Sequence, residues 1–170
     1  MIFKQLDRQN GLHWLYAKFK IIYTGRMKIK LKIVREGAIM PSYQTPGAAC
    51  VDLHASIDAP IILQPGGHRA VPTGVAAEIP EGHELQVRAR SGWAAKNGIG
   101  LVNGIGTIDA DYRGEIAAIL INWGSEPFTI NPGERIAQMM LNKIEKIEWK
   151  VVDNLSDTER GEGRFGSTLR

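Results

Sequence analysis

The chain has 170 residues, 44% of them hydrophobic and 23% charged, with a formal net charge of +3. That balance describes one folded domain with a tail and excludes a disordered chain. No run approaches the ~18 apolar residues that a membrane span needs. The single cysteine, Cys50, excludes an intrachain disulfide framework and points to a reducing, cytoplasmic compartment. The basic excess is local. Lys4, Arg8, Lys18, Lys20 and Arg26 against Asp7 leave +4 in the first 26 residues and −1 in the remainder. The high isoelectric point therefore says little about the body, and no stable nucleic-acid partner is expected from it.

Residues 1–26 read as an N-terminal extension. Leu12, Leu15, Tyr16, Phe19 and Tyr23 share one helical face, bracketed by Gly11 and Gly25. Two readings stand: an upstream extension with Met27 as an alternative start, or a basic amphipathic helix for a membrane surface or organelle import. From Met27 the period changes to two. Lys28 to Ile33 alternates charge with aliphatic side chains, which predicts a half-buried strand. Turn signals then recur at Pro65-Gly66-Gly67, Pro72-Thr73-Gly74, Pro80-Glu81-Gly82 and Pro132-Gly133. Between them lie apolar runs: Ile61 to Leu63, Val75 to Ala77, Ile116 to Ile121 and Ile144 to Trp149. Short strands at this spacing predict an all-β sandwich or barrel. One short helix is expected over Ser91 to Lys96, with Ser91 as N-cap and Asn97-Gly98 as terminator. The boundaries follow: an extension over 1–26, a β domain over 27–152, and a polar, glycine-rich C-terminal arm over 153–170.

Metal-ligand spacing is absent from the four histidines, which are scattered, and no Walker loop or Ser/His/Asp elbow occurs. Three stretches carry chemistry instead. In Gly104 to Glu115, Asp109 and Asp111 bracket Ala110 and precede Tyr112 and Arg113. On a strand the two carboxylates would share one face. Glycine-rich backbone beside them exposes N–H and C=O groups for base-edge hydrogen bonds, and a carboxylate there can hold an attacking water. Read without context, the same run is a hairpin with a solvated acidic edge. Arg90-Ser91-Gly92 opens the short helix with a forked cation suited to phosphate. Arg160 to Thr168 combines three glycines with phosphate donors at Arg160, Ser167 and Thr168 and a stacking face at Phe165.

Together these stretches resemble the five ordered motifs of the trimeric deoxyuridine triphosphatases (dUTPases). The motifs stand here as Pro46 to Leu53, Arg90 to Ala94, Gly106 to Gly114, Pro132 to Gln138 and Arg160 to Thr168. The resemblance runs from about Met27 to the C-terminus. It implies a jelly-roll β subunit, a homotrimer with shared active sites, Mg²⁺, and conversion of dUTP to dUMP and pyrophosphate. It further implies that Asp109 orients the water that attacks the α-phosphorus. Asn103 and the hairpin backbone through Gly106, Thr107 and Ile108 would read the uracil edge, and Tyr112 would lie under the deoxyribose and exclude a 2′-hydroxyl. Arg90, Ser91, Gly92 and Gln138 would contact phosphates. From a neighbouring subunit, Phe165 would cover the uracil while Arg160, Ser167 and Thr168 close on the β- and γ-phosphates, with Gly166 also among the substrate-binding residues. Asp52 would support the metal through water.

The chain departs from the family pattern at four places. Cys50 replaces a usual Gly, Trp93 a usual Leu, Arg164 a Gly before the aromatic residue, and Leu169 a final Gly. Cys50 and Trp93 are expected to alter packing only. Arg164 either binds phosphate or restricts the closing arm. Two other readings stand beside it: a dCTP deaminase-like enzyme of the same fold, and a non-catalytic nucleotide-binding regulatory protein. The Asp109 to Tyr112 run and the Arg160 to Thr168 arm favour the diphosphatase.

Overall fold

The computed structural model describes residues 27–164. The expectations for residues 1–26 and for Phe165, Gly166, Ser167 and Thr168 lie outside them. The described chain runs β1 (Lys30–Ile33), β2 (Val51–His54), β3 (Ile61–Leu63), β4 (His68–Pro72), β5 (Val75–Glu78) and β6 (His83–Arg88). It continues through α1 (Ser91–Asn97), β7 (Ile99–Leu101), β8 (Gly106–Ile108), β9 (Ala117–Asn122), β10 (Phe128–Ile130) and β11 (Arg135–Lys143). The all-β expectation with one short helix holds, and the arrangement is a jelly-roll sandwich.

Strand neighbours are not sequence neighbours. The largest sheet has the order β2-β11-β6-β8, a second has β4-β9-β7, and two pairs, β1-β5 and β3-β10, complete the layers. Every pairing is antiparallel. Strands short enough to be bounded by glycine and proline turns cannot bury a face alone, so they cross between layers and share one core. That core is aliphatic: Leu53, Val71, Val75, Val87, Ile99, Ile116, Leu120, Ile130 and Ile136 are each below 2% exposed. Asn122, also fully buried, ties the layers. Its amide donates to the Leu63 and Glu126 carbonyls at 2.9 and 2.7 Å, and its oxygen accepts from the Gly124 amide at 2.9 Å.

Three local expectations differ from the structure. Arg90, not Ser91, is the N-cap of α1, and it makes no side-chain cap bond, so Ser91 is the first helical residue. Gly98 closes the helix as expected, in the left-handed region at φ 69°, where its amide bonds back to the Ala94 and Trp93 carbonyls. The Gly104 to Glu115 stretch is not a hairpin. β7 pairs with β9 whereas β8 pairs with β6, so the chain crosses from one sheet to another between them. Asp109 and Asp111 accordingly lie in a turn after β8, closed by the Tyr112 amide on the Asp109 carbonyl at 3.1 Å, and they do not share a strand face. Last, β11 ends at Lys143, and although the Ile144 amide still bonds to the Gly82 carbonyl at 2.9 Å, residues 145–149 pair with no strand among the described residues.

Candidate functional site

The central strand β11 builds the first half of the site. It pairs with β2 on one side and β6 on the other, so Gln138 lies opposite both Asp52 and Arg88. A register shift between Arg135 and Ala137 puts two successive residues, Ile136 and Ala137, into the core. Such a bulge re-aims its neighbour. Arg135 turns to Asp52, its Nη1 donating to Oδ2 at 3.0 Å, although the ladder pairs it with His54. Arg90, carried at the end of β6, donates from Nη1 to the Arg135 carbonyl at 2.6 Å. Its guanidinium also lies 5.6 Å from the centre of the Trp93 ring, a cation–π contact. Trp93 in turn meets Phe128 edge-on at 4.8 Å. Trp93 therefore holds the arginine as well as packing, which corrects the packing-only expectation for it.

These residues line one open cleft of about 350 Å³, whose wall holds Gln44, Cys50, Asp52, Arg90, Ser91, Gly92, Arg135 and Gln138. The sequence reading missed Arg135 and Gln44 as members. Arg135 had a signal, the turn at Pro132-Gly133 just before it, but its aim depends on the bulge. Asp52 is 8% exposed and ion-paired, so the cleft presents two guanidinium groups, two amides and a hydroxyl against one neutralised carboxylate. That lining suits a polyanion. Behind the cleft, burial lowers the pKa of His54; Asp52 opposes this shift, and Arg135 and Arg90 add to it. His54 Nδ1 is buried with no hydrogen-bond partner among the described residues.

The second half lies elsewhere. Thr107, Ile108, Asp109, Tyr112 and Glu115 line a separate cavity of about 270 Å³. Asp109 and Tyr112 are exposed there, and the Tyr112 hydroxyl donates to the Glu115 carbonyl at 2.9 Å. Asn103 is exposed in the sheet crossing, with Gly106 packed between its amide and Val87. Arg160 is exposed in the arm and donates from Nε to the Gly163 carbonyl at 3.2 Å. Register gives the separation of the halves. Leu85 faces Ile108, so Asp109 falls opposite Glu84, six residues along from Arg90. At ~3.3 Å per strand residue that is about 20 Å. The chain thus brings Asp52, Arg90, Ser91, Gly92 and Gln138 together, and Thr107, Ile108, Asp109 and Tyr112 together, but not the two groups to each other.

Among the described residues, no three His, Cys, Asp or Glu side chains gather as a metal cage. The donor set in the first cleft is oxygen from Asp52, Gln138 and Ser91. It fits a hard cation that keeps its waters and takes most ligands from a bound polyphosphate, the habit of Mg²⁺. No helix among the described residues is long and apolar enough to cross a membrane.

Residues 36–169 match the dUTPase family. The chain is 50% identical over 144 residues to the deoxyuridine 5′-triphosphate nucleotidohydrolase of Anaplasma marginale (strain St. Maries), spanning 82% of this chain and 98% of that protein. It is 51% identical over 131 residues to the enzyme of the same name from Bdellovibrio bacteriovorus, spanning 77% of this chain and 88% of that one. Among solved structures it is similar to a Staphylococcus bacteriophage 80alpha dUTPase with dUPNHPP. The TM-score is 0.75 and the identity 27%, over 83% of this chain and 98% of that one.

Proposed function

The chain belongs to the dUTPase family, and on that premise we propose that it hydrolyses dUTP to dUMP and pyrophosphate. The observation that carries the reading is the cleft in which Asp52, Arg90, Ser91, Gly92 and Gln138 meet from three remote segments, with donors suited to a triphosphate. Arg90, Ser91, Gly92 and Gln138 bind its oxygens. Asp52 would hold Mg²⁺ through water, and the ion would supply charge neutralisation at the phosphates.

Asp109 orients a water toward the α-phosphorus and accepts its proton. The new P–O bond forms as the bond to the bridging oxygen breaks, and pyrophosphate departs. A general base must lie within about 3 Å of that water. A triphosphate chain is far shorter than the ~20 Å between Arg90 and Asp109 on one subunit. Asp109 therefore serves phosphates held by another copy of the chain, which supports a homotrimer with shared sites. The exposed apolar stripe Ile147, Trp149 and Val151, at 70%, 82% and 95%, supports assembly too, because none of the described residues covers it.

Asn103 with the backbone of Gly106, Thr107 and Ile108 reads the uracil edge, where an unpaired donor or acceptor would reject cytosine. Tyr112 lies under the deoxyribose. Arg160 joins Phe165, Gly166, Ser167 and Thr168 in closing over the nucleotide. The free thiol of Cys50 supports a reducing, cytoplasmic setting. A panel of dUTP, dCTP, dTTP and UTP with Mg²⁺ and a pyrophosphate readout tests the reading. Release from dUTP well above the rest is expected; ammonia from dCTP, or no release from dUTP, overturns it.

A further inference from the structure

Glu115 has no part in the chemistry above, yet it lines the same cavity as Asp109 and Tyr112. Its carboxylate is held from two directions. Arg35 grips it in a two-pronged pair, Nε to Oε1 at 2.6 Å and Nη2 to Oε2 at 2.9 Å. The Gly74 amide donates to Oε1 at 2.8 Å. Both anchors are themselves fixed, because the Val34 amide bonds to the Gly74 carbonyl at 2.8 Å and β1 pairs along β5. Gly74 sits at φ +72°, and a Cβ there would collide with Ala38 and Ser56, so its amide has little room to move.

Tyr112 hangs from this clamp. Its hydroxyl donates to the Glu115 carbonyl at 2.9 Å, and its ring folds over Gly114 so closely that a Cβ there would run into the ring and hydroxyl. On the far side, Ile116 is pinned by Val75 and Thr73. The near side, which carries the ring, has the Glu115 side chain as its tie to β1 and the turn before β5.

We propose that Glu115, clamped by Arg35 and the Gly74 amide, is a positioning residue that fixes the Tyr112 ring and so sets discrimination between deoxyribose and ribose substrates. This rests on the reading of Tyr112 as the sugar platform. A ring locked against the cavity wall leaves no space for a 2′-hydroxyl. A ring on a loosened backbone yields that space. A specificity that depends on fit is lost by small displacements of the fitting group.

The test measures kcat/KM for dUTP and for UTP, with the melting temperature, in the wild type, Glu115→Gln, Arg35→Gln, the double variant and Lys30→Ala. Lys30 forms an exposed pair with Glu78 and controls for loss of a surface ion pair. The expected result is a fall of at least tenfold in the dUTP/UTP ratio for Glu115→Gln. The ratio should fall by a smaller factor in Arg35→Gln and no further in the double variant than in Glu115→Gln, because both act through one contact. Lys30→Ala keeps the wild-type ratio. A Glu115→Gln ratio equal to wild type, or Arg35→Gln and Glu115→Gln effects that multiply, overturns the inference while leaving dUTP hydrolysis standing. Absence of dUTP hydrolysis in the wild type overturns the underlying reading instead. Should Glu115→Gln melt early, Arg35→Gln, altered only on the surface, still decides by its ratio.

Discussion

Asp109 makes its structural contact through the backbone, the carbonyl accepting the Tyr112 amide, while the residue as a whole stays exposed. Replacing the carboxylate by an amide therefore leaves the turn intact. Asp109→Asn should keep binding of a non-cleavable dUTP analogue within a few-fold while pyrophosphate release falls by about 10²–10⁴; calorimetry and steady-state kinetics check the two halves separately. Glu115 offers a pH signature. The Arg35 hydrogen bond, helped by the Gly74 amide, outweighs burial and holds its carboxyl below the ordinary value of 4.5. A depressed carboxyl contributes stability above its unfolded pKa and loses it as pH falls through the folded value. Melting curves from pH 7 to pH 3 should thus show the wild type losing more stability below about pH 4.5 than Glu115→Gln does. Both residues stand in a run that the sequence made conspicuous, but only Asp109 was legible as a participant. What distinguishes Glu115 is its contact with Arg35, 80 positions away, which no local pattern announces.

At the scale of elements, alternation was read correctly where a strand has a partner. Ile61 to Leu63 is β3 as expected, and the charged-aliphatic run beginning at Lys28 contains β1. The same logic applied to Ile144 to Trp149 finds an extended segment without a ladder, because periodicity reports the faces of a strand and not whether a neighbour exists. The crossing between β7 and β8 was misread as a hairpin for a related cause: turn glycines are common to both, and only long-range pairing separates them. The Arg90 cleft was half legible. Asp52, Arg90 and Gln138 follow from motif order, whereas Arg135 owes its aim to a bulge that shifts register by one residue. The stack of Arg90 on Trp93 and Trp93 on Phe128 yields a further test. Trp93→Leu removes a cation–π contact of about 0.5–1 kcal/mol, so KM for dUTP should rise about two- to fivefold with kcat unchanged. Thermal denaturation should also show a loss of about 1 kcal/mol from the edge-on ring pair.

For the whole molecule, the separation between the Arg90 cleft and the Asp109 cavity makes a prediction about mixtures. Arg90→Ala and Asp109→Asn chains should each be inactive as pure assemblies. Unfolded together in equal amounts and refolded, they should recover about a quarter of wild-type activity, since random pairing gives that share of sites both intact halves. No recovery would mean that each chain completes its own site. Most of the architecture was open to inference from turn spacing and apolar runs. The division of the site was not, because it depends on the direction in which β6 and β8 run past each other.

That antiparallel passage also bears on how the protein behaves when scarce. If neither end of β6 can serve a nucleotide alone, the rate per milligram is not a constant. It should sag as the solution is thinned past the point where copies part, and return on concentration, following mass action rather than denaturation.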